Sequence, residues 1–311
     1  MKILVTGAAG FVGQVLVPRL LAAGHAVTGT HLPGETVPAM GPVRWLPLDL
    51  RSNDSVAAAV ADRPDAVMHL AAVASGAEAR KDPGLAWEVN SGGTARIAEA
   101  LGGFRARGDA DPLFLVVSTA EVYGATTEAR LRTEADPVAP VSPYAASKAG
   151  AELAALETAR RTGLRVIIAR SFPHTGPGQT DRYVVAAFAK RLKAAKAVGA
   201  PVVKTGNLDP VRDFLDVRDV VEAYVALLER GAPGETYNVA SGAGVNLREL
   251  FERLARIIGV RAIPEPDPQL IRAADVPHLV GDATRIRLAT GWTPRISFDQ
   301  TLHDVVHAQT D

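Results

Sequence analysis

Along the chain, short runs of β-branched and other apolar residues alternate with longer stretches in which apolar positions return every three or four residues. Lys2–Thr6 fits a buried strand, Phe11–Ala23 a helix and Ala26–Thr30 a second strand. The alternation continues with Asp54–Ala61 as helix, Ala66–Leu70 as strand, Trp87–Leu101 as helix and Leu113–Ser118 as strand. An alanine-rich stretch, Tyr144–Thr162, predicts a long helix, and Arg165–Ala169 the strand after it. Strands and helices joined by short links in this order predict an α/β fold, a doubly wound parallel sheet with helices on both faces.

The rhythm loosens after Arg170. Turn formers gather in "PHTGPGQ", "GNLDP", "GAPGE" and "PEPDP", while Asn246–Ile258 reads as a helix opened by an asparagine cap. These stretches predict a smaller mixed α/β lobe, interleaved in sequence with the sheet. The expected boundaries are 1–171 plus about 210–238 for the sheet domain, and about 172–209 plus 239–311 for the lobe. Such sheets bind ligands at the carboxyl ends of their strands, so the cleft is expected between the two.

Composition narrows the chemistry. Lysines and arginines number 34, as do aspartates and glutamates, so no overall field points to nucleic acid or a membrane surface. Cysteine is absent, which removes disulfides, thiolate metal sites and cysteine nucleophiles, and fits the cytoplasm. The N-terminal apolar run is broken by Gly7, Gly10, Gly13, Pro18 and Arg19, unlike a secretion signal. No other apolar run approaches the length that crosses a bilayer. The histidines are scattered without ligand spacing, so no metal site is expected. His69 reads as structural, and Trp45, Trp87 and Trp292 as core or interface aromatics.

The stretch "VTGAAGFVG" follows the first strand and opens the first helix, with Gly7, Gly10 and Gly13 at G-x-x-G-x-x-G spacing. Gly7 permits a tight turn, Gly10 lets the backbone approach a pyrophosphate, and Gly13 lets the helix pack closely on the strand. The helix N-terminus adds unpaired N–H groups and a positive dipole end. This is the dinucleotide fingerprint of a Rossmann sheet. The second strand ends at Thr30 and His31, with neither the acid that holds a ribose 2′-hydroxyl nor the arginine that accommodates a 2′-phosphate. NADH and NADPH therefore stay unseparated. Asp49 in "LPLDL" is a candidate for the adenine amine, with a solvent-facing turn as its other reading.

"VSPYAASK" places Tyr144 and Lys148 at i and i+4, neighbours on one helix face. A cation there is expected to lower the phenol pKa. "LFLVVSTAEVYG" ends a buried strand with Ser118 and Thr119 at the edge where the cleft lies. A hydroxyl, a phenol and an ammonium beside a nicotinamide make a carbonyl/alcohol site. Thr119 would hold the substrate oxygen, Tyr144 would pass the proton, and Lys148 would tune Tyr144 and bind ribose hydroxyls.

With these motifs, the chain resembles the extended short-chain dehydrogenases/reductases, the NAD-dependent epimerase/dehydratase superfamily. The resemblance rests on "TGAAGFVG", "HLAA", "VN", "STAEVYG", "YAASK" and "RDFLDVRDV". It implies NAD(P)H held by Gly7, Gly10, Phe11, Val12, Gly13, Asp49, Leu50, Leu70, Ala71, Ala72, Asn90, Tyr144 and Lys148. The later stretches "HTGPGQ", "VVKTGNLDPVRDFLDVRD", "YNVASG", "IRAADVPHLVGD" and "TGWTPRI" resemble the GDP-sugar branch, above all GDP-4-keto-6-deoxy-D-mannose reductase. That branch implies a nucleotide-diphosphate sugar contacted by Arg212, Arg272 and Asp275. Ser118, Thr119, His174, Arg182 and Lys193 complete the expected substrate site. Between Arg182 and Leu208 there are six cations and no acid, a local field suited to a diphosphate, although most of those lysines also read as the wet face of an amphipathic helix. Pro173 stands where the family usually has a substrate-contacting asparagine, and Asp275 where it has glutamate.

Reduction, dehydration and epimerisation all run on a Thr-Tyr-Lys frame. Glu121 sits where a dehydratase keeps an acid/base, while Ala120 lacks the second acid of the dTDP-glucose enzymes. The carboxyl-terminal pattern and the length favour hydride delivery to GDP-4-keto-6-deoxy-D-mannose, giving GDP-D-rhamnose. The alternatives are a UDP- or dTDP-hexose 4-epimerase, a GDP-mannose 4,6-dehydratase, and a non-catalytic dinucleotide-binding regulator. The resemblance also implies a homodimer through the helices Trp87–Leu101 and Tyr144–Thr162, whose apolar faces would equally suit packing within one chain.

Overall fold

In chain order the first elements are β1 (Lys2–Thr6), α1 (Phe11–Ala22), β2 (Ala26–His31), β3 (Arg44–Pro47), α2 (Asn53–Val60) and β4 (Ala66–His69). After α3 (Gly76–Lys81) and α4 (Pro83–Ala86), a π-helical turn at Trp87–Gly92 runs into α5 (Gly93–Arg107). Next come β5 (Leu113–Thr119), a 3₁₀ turn (Ala120–Tyr123), α6 (Pro143–Thr162) and β6 (Arg165–Ser171). The following segment holds β7 (His174–Thr175), α7 (Val184–Val198), β8 (Val202–Thr205), β9 (Val211–Asp213), β10 (Leu215–Asp216), α8 (Val217–Arg230) and β11 (Thr236–Val239). The chain finishes with β12 (Gly244–Asn246), α9 (Leu247–Ile258), β13 (Ile263–Pro266), β14 (His278–Leu279), α10 (Thr284–Thr290) and α11 (Phe298–Ala308). This computed structural model describes residues 1–125, 129–270 and 276–308.

Seven strands form one sheet in the order β3-β2-β1-β4-β5-β6-β11, every neighbouring pair parallel. Side chains alternate across it. Ile3, Val5, Met68 and Leu115 join α1 and α8 in one core, while Leu4, Val67, Phe114 and Val116 join α2, α5 and α6 in the other. Winding reverses between β1 and β4, which opens a crevice at their carboxyl ends. Every residue of the site described below sits on a strand end, or on the loop or helix that follows one.

A third apolar cluster joins α7, α9 and α11 through Phe188, Leu192, Leu250, Phe251, Leu254 and Leu302. Asn246 caps α9 as its sequence predicts, accepting from the Arg248 amide at 2.9 Å. The segment assigned with this lobe from residue 239 onward divides, however. Ile286 of α10 and Trp292 are buried in the sheet core with α8, and the Trp292 indole donates to the Asp219 carbonyl at 3.0 Å. Trp292, read from the sequence as a core or interface aromatic, is buried there, with a partner some seventy residues back in the chain. Trp87, read as a core or interface aromatic, is 46% exposed and so lies outside the chain's own core. Among the described residues no helix is long and apolar enough to cross a membrane.

Candidate active site

A cavity of about 890 Å³ opens at the crevice between β1 and β4. Its near rim is main chain. Gly7 adopts φ 69°, and a side chain there would bring a Cβ within 2.8 Å of the Ala71 nitrogen. A Cβ on Gly13 would strike the Ala8 backbone. Gly10 begins α1 with no side-chain cap and no acid in the first turn, and Phe11, Val12 and Gly13 line the cavity beside it. An uncapped helix start facing a cavity presents N–H donors and the positive dipole end, which fits a pyrophosphate.

Leu70, Ala71 and Ala72 form the opposite lip. Behind them Thr6 Oγ1 accepts from the Ala71 amide at 3.2 Å and lies 2.7 Å from His69 Nδ1, while His69 Nε2 lies 3.0 Å from Thr94 Oγ1. Burial, with a smaller contribution from Lys148, pushes the His69 pKa down to about 3, so the ring stays neutral as a structural post. Asp49 and Leu50 also line the cavity. The Asp49 carboxylate accepts from the Arg51 guanidinium at 2.9 Å, which holds it below the usual carboxylate range.

Asn90 is a correction to the expected cofactor set: it does not line the cavity. The π-helical turn rotates it inward, where Oδ1 accepts from the Val73 amide at 2.8 Å and Nδ2 donates to Ser147 Oγ at 2.9 Å. It ties the lip to α6 from behind.

Ser118, Thr119, Glu121, Tyr144 and Lys148 meet on one wall. Ser142 caps α6 by accepting from the Ala145 amide at 3.1 Å, and Pro143 takes the first helical position, which needs no N–H. Tyr144 and Lys148 follow one turn apart. Thr119 Oγ1 accepts from the Glu121 amide at 3.2 Å, which leaves its hydroxyl proton for another acceptor. The expected lowering of the Tyr144 pKa is not what the wall produces. Burial pushes the phenol up, the Glu121 carboxylate adds to this, and the Thr119 hydroxyl opposes it. Burial likewise lowers Lys148 to about 8, against a rise from Glu152. A wall that excludes water penalises phenolate and ammonium alike, and here desolvation outweighs their spacing. Tyr144 therefore keeps its proton at neutral pH.

The far rim is made of side chains from separate segments. His174, Arg182 and Arg212 line it, as does Pro173. His174 Nδ1 lies 3.0 Å from the Phe172 carbonyl, and burial holds its pKa down. Arg182 is paired with Glu78, and Arg212 Nη1 donates to the Val211 carbonyl at 2.9 Å. Lys193 is a second correction. It is absent from the cavity wall and donates to the Val306 carbonyl at 2.5 Å, closing the end of α11. Arg272 and Asp275 lie outside the described residues.

The sequence reading missed Tyr183, Gln179, Arg191 and Asn207, all on the wall. Gln179 is nearly buried and donates to the His174 carbonyl at 3.0 Å. Tyr183 precedes α7, and its phenol acts on Tyr144. Amphipathic spacing marked α7 as a helix, but periodicity does not say which polar residue at its edge meets the cavity. Among the described residues no cluster of His, Asp and Glu could hold a metal.

The model of the NAD dependent epimerase/dehydratase family matches residues 3–240. The chain is 38% identical over 307 residues to GDP-6-deoxy-D-mannose reductase of Pseudomonas aeruginosa, covering 98% of this chain and 96% of that protein. The solved structure of RMD from Pseudomonas aeruginosa complexed with NADPH is similar with a TM-score of 0.83 at 37% identity, over 99% of this chain and 98% of that one. The UDP-glucose 4-epimerase of Thermus thermophilus, solved in complex with NAD, gives 0.86 at 33% identity over 99% and 98%.

Proposed function

The chain belongs to the NAD dependent epimerase/dehydratase family, and on that premise we propose that it is a reductase converting GDP-4-keto-6-deoxy-D-mannose to GDP-D-rhamnose. The observation that carries the reading is the near full-length similarity to a GDP-6-deoxy-D-mannose reductase, joined to a cavity that holds the glycine turn, the Thr119-Tyr144-Lys148 wall and Arg212 together. Glu121 beside Ala120, with no second acid, also favours reduction over a dTDP-glucose type of dehydration.

The uncapped start of α1 and Gly7, Gly10 and Gly13 would hold the dinucleotide phosphates, with Asp49 and Leu50 toward the adenine. NAD(P)H bound there supplies the hydride. The chain's own residues do the rest. Thr119 hydrogen-bonds through its hydroxyl to the substrate's 4-keto oxygen and fixes it beside Tyr144. Tyr144, neutral because the wall is dry, gives its proton to that oxygen as the alcohol forms. Lys148 stabilises the phenolate left behind. Arg212 and Arg182 would grip the diphosphate. We place the enzyme in the cytoplasm as a homodimer through α5, the π-helical turn that leads into it, and α6, where Trp87 and Leu153 leave apolar surface exposed.

One comparison of substrates tests this. The reductase consumes added NADPH or NADH with the 4-keto-6-deoxy sugar nucleotide and leaves GDP-mannose and UDP-glucose untouched. Keto sugar made from GDP-mannose alone would make it a dehydratase, and hexose interconversion without net cofactor use an epimerase.

A further inference from the structure

Behind the catalytic wall lies a charge cluster that the reaction scheme leaves unused. Glu152 follows Lys148 by one helical turn and Tyr144 by two, on the same face of α6. Its Oε1 accepts from Ser118 Oγ at 2.5 Å and from Arg170 Nε at 3.0 Å, and its Oε2 accepts from Arg170 Nη2 at 2.7 Å. Glu152, Arg170, Ser118 and Lys148 are all at most 6% exposed. The Arg170 guanidinium also lies 4.9 Å from the centre of the Tyr123 ring, whose hydroxyl donates to Asn238 at 2.6 Å.

We propose that Glu152, locked by Arg170 and Ser118, is the positioning residue that keeps the Lys148 ammonium charged beside Tyr144. The inference rests on the reading of Lys148 given above. The geometry argues for more than a structural ion pair. Ser118 directly precedes Thr119, so one carboxylate holds the strand end that carries the hydroxyl to the helix that carries the phenol and the ammonium. A buried ammonium also needs an anion nearby. The titratable groups facing this region are Tyr144 and Glu152 from α6, His69 from β4, Glu121 and Tyr123 from the turn after β5, and Arg170 from β6. His69 is held neutral, Tyr144 and Tyr123 keep their protons, Glu121 faces the phenol and Arg170 is a cation. Glu152 is the carboxylate that acts on Lys148.

Two readouts test this on the full chain: the pH profile of kcat, and the titration of Lys148 followed by lysine side-chain NMR with Lys148→Met as the assignment. Wild-type turnover falls as pH rises through the Lys148 pKa of about 8. Glu152→Gln keeps the shape and the Ser118 contact but removes the charge. Both the alkaline limb and the NMR titration then move about one unit toward acid, and kcat at pH 8 falls about fivefold. Arg170→Met leaves Glu152 without its competing cation and moves both readouts the other way; it stands alone if Glu152→Gln does not fold. A uniform loss of kcat with neither readout displaced, or a displacement of opposite sign, overturns the proposal. An active Lys148→Met sinks the reading of Lys148 itself, whereas an inactive one with an unmoved limb in Glu152→Gln sinks only the role of Glu152.

Discussion

At one rim of the cavity Gly7, Gly10 and Gly13 present bare main chain within a single turn; at the other, His174, Arg182 and Arg212 present side chains from three segments of the chain. The near rim owes its shape to what is missing, since a Cβ at Gly7 or Gly13 would collide with backbone that cannot retreat. The far rim owes its shape to long-range packing, because its residues come from β7, the turn before α7, and β9. The first is therefore set locally, and the second by contacts distant in sequence. Under the proposed function, the near rim would serve the dinucleotide and the far rim would carry specificity for the sugar nucleotide.

Five variants sharpen or break that contrast. The largest effect falls where the rims meet: Tyr144→Phe is expected to cut turnover by about 10³-fold while dinucleotide binding by calorimetry survives. On the near side, His69 has a folded pKa of about 3 against 6.5 ordinarily. The unfolded chain thus binds the extra proton first, so the stability from His69 is full above pH 6.5 and drains as pH falls toward 3. Urea unfolding at pH 7 and pH 4 should show a loss on the order of 3 kcal/mol between the two. His69→Gln should flatten that slope. Gly7→Ala forces a side chain into φ 69° against Ala71 and is expected to cost about 2 kcal/mol and weaken dinucleotide binding.

Far-rim changes should be milder and confined to the sugar nucleotide. Arg212→Ala raises its KM about tenfold through loss of charge-assisted bonds, with dinucleotide affinity unchanged. Lys193→Ala leaves KM alone and lowers stability by about 1 kcal/mol, because its ammonium closes α11 rather than facing the ligand. A Gly7 variant that changed sugar affinity alone, or an Arg212 variant that changed dinucleotide affinity, would erase the distinction.

The same contrast explains what could be read from residues alone. β1, β2, β4, β5 and β6, the glycine turn and the Thr119-Tyr144-Lys148 wall were legible because each is set within one strand-turn-helix unit. Asn90 was misassigned because a π-helical turn shifts the face it presents, and that turn has no pattern of apolar spacing. Lys193 and Arg191 lie two positions apart on α7, yet only the latter meets the cavity, a difference decided by where α11 docks. Trp292 reads correctly as a core aromatic, but that it joins the sheet core rather than the lobe was not legible for the same reason, its partner Asp219 being remote in sequence. The phenol pKa went wrong because spacing reveals a neighbouring charge but not the dryness around it.

The most direct test of the account is label transfer. Incubated with GDP-4-keto-6-deoxy-mannose and each 4-deuterated stereoisomer of NADPH, the protein should place one deuterium at C4 of the sugar from one stereoisomer only, with an equal amount of cofactor oxidised. Sugar product formed with no deuterium from either stereoisomer, while the added cofactor stays reduced, would contradict it.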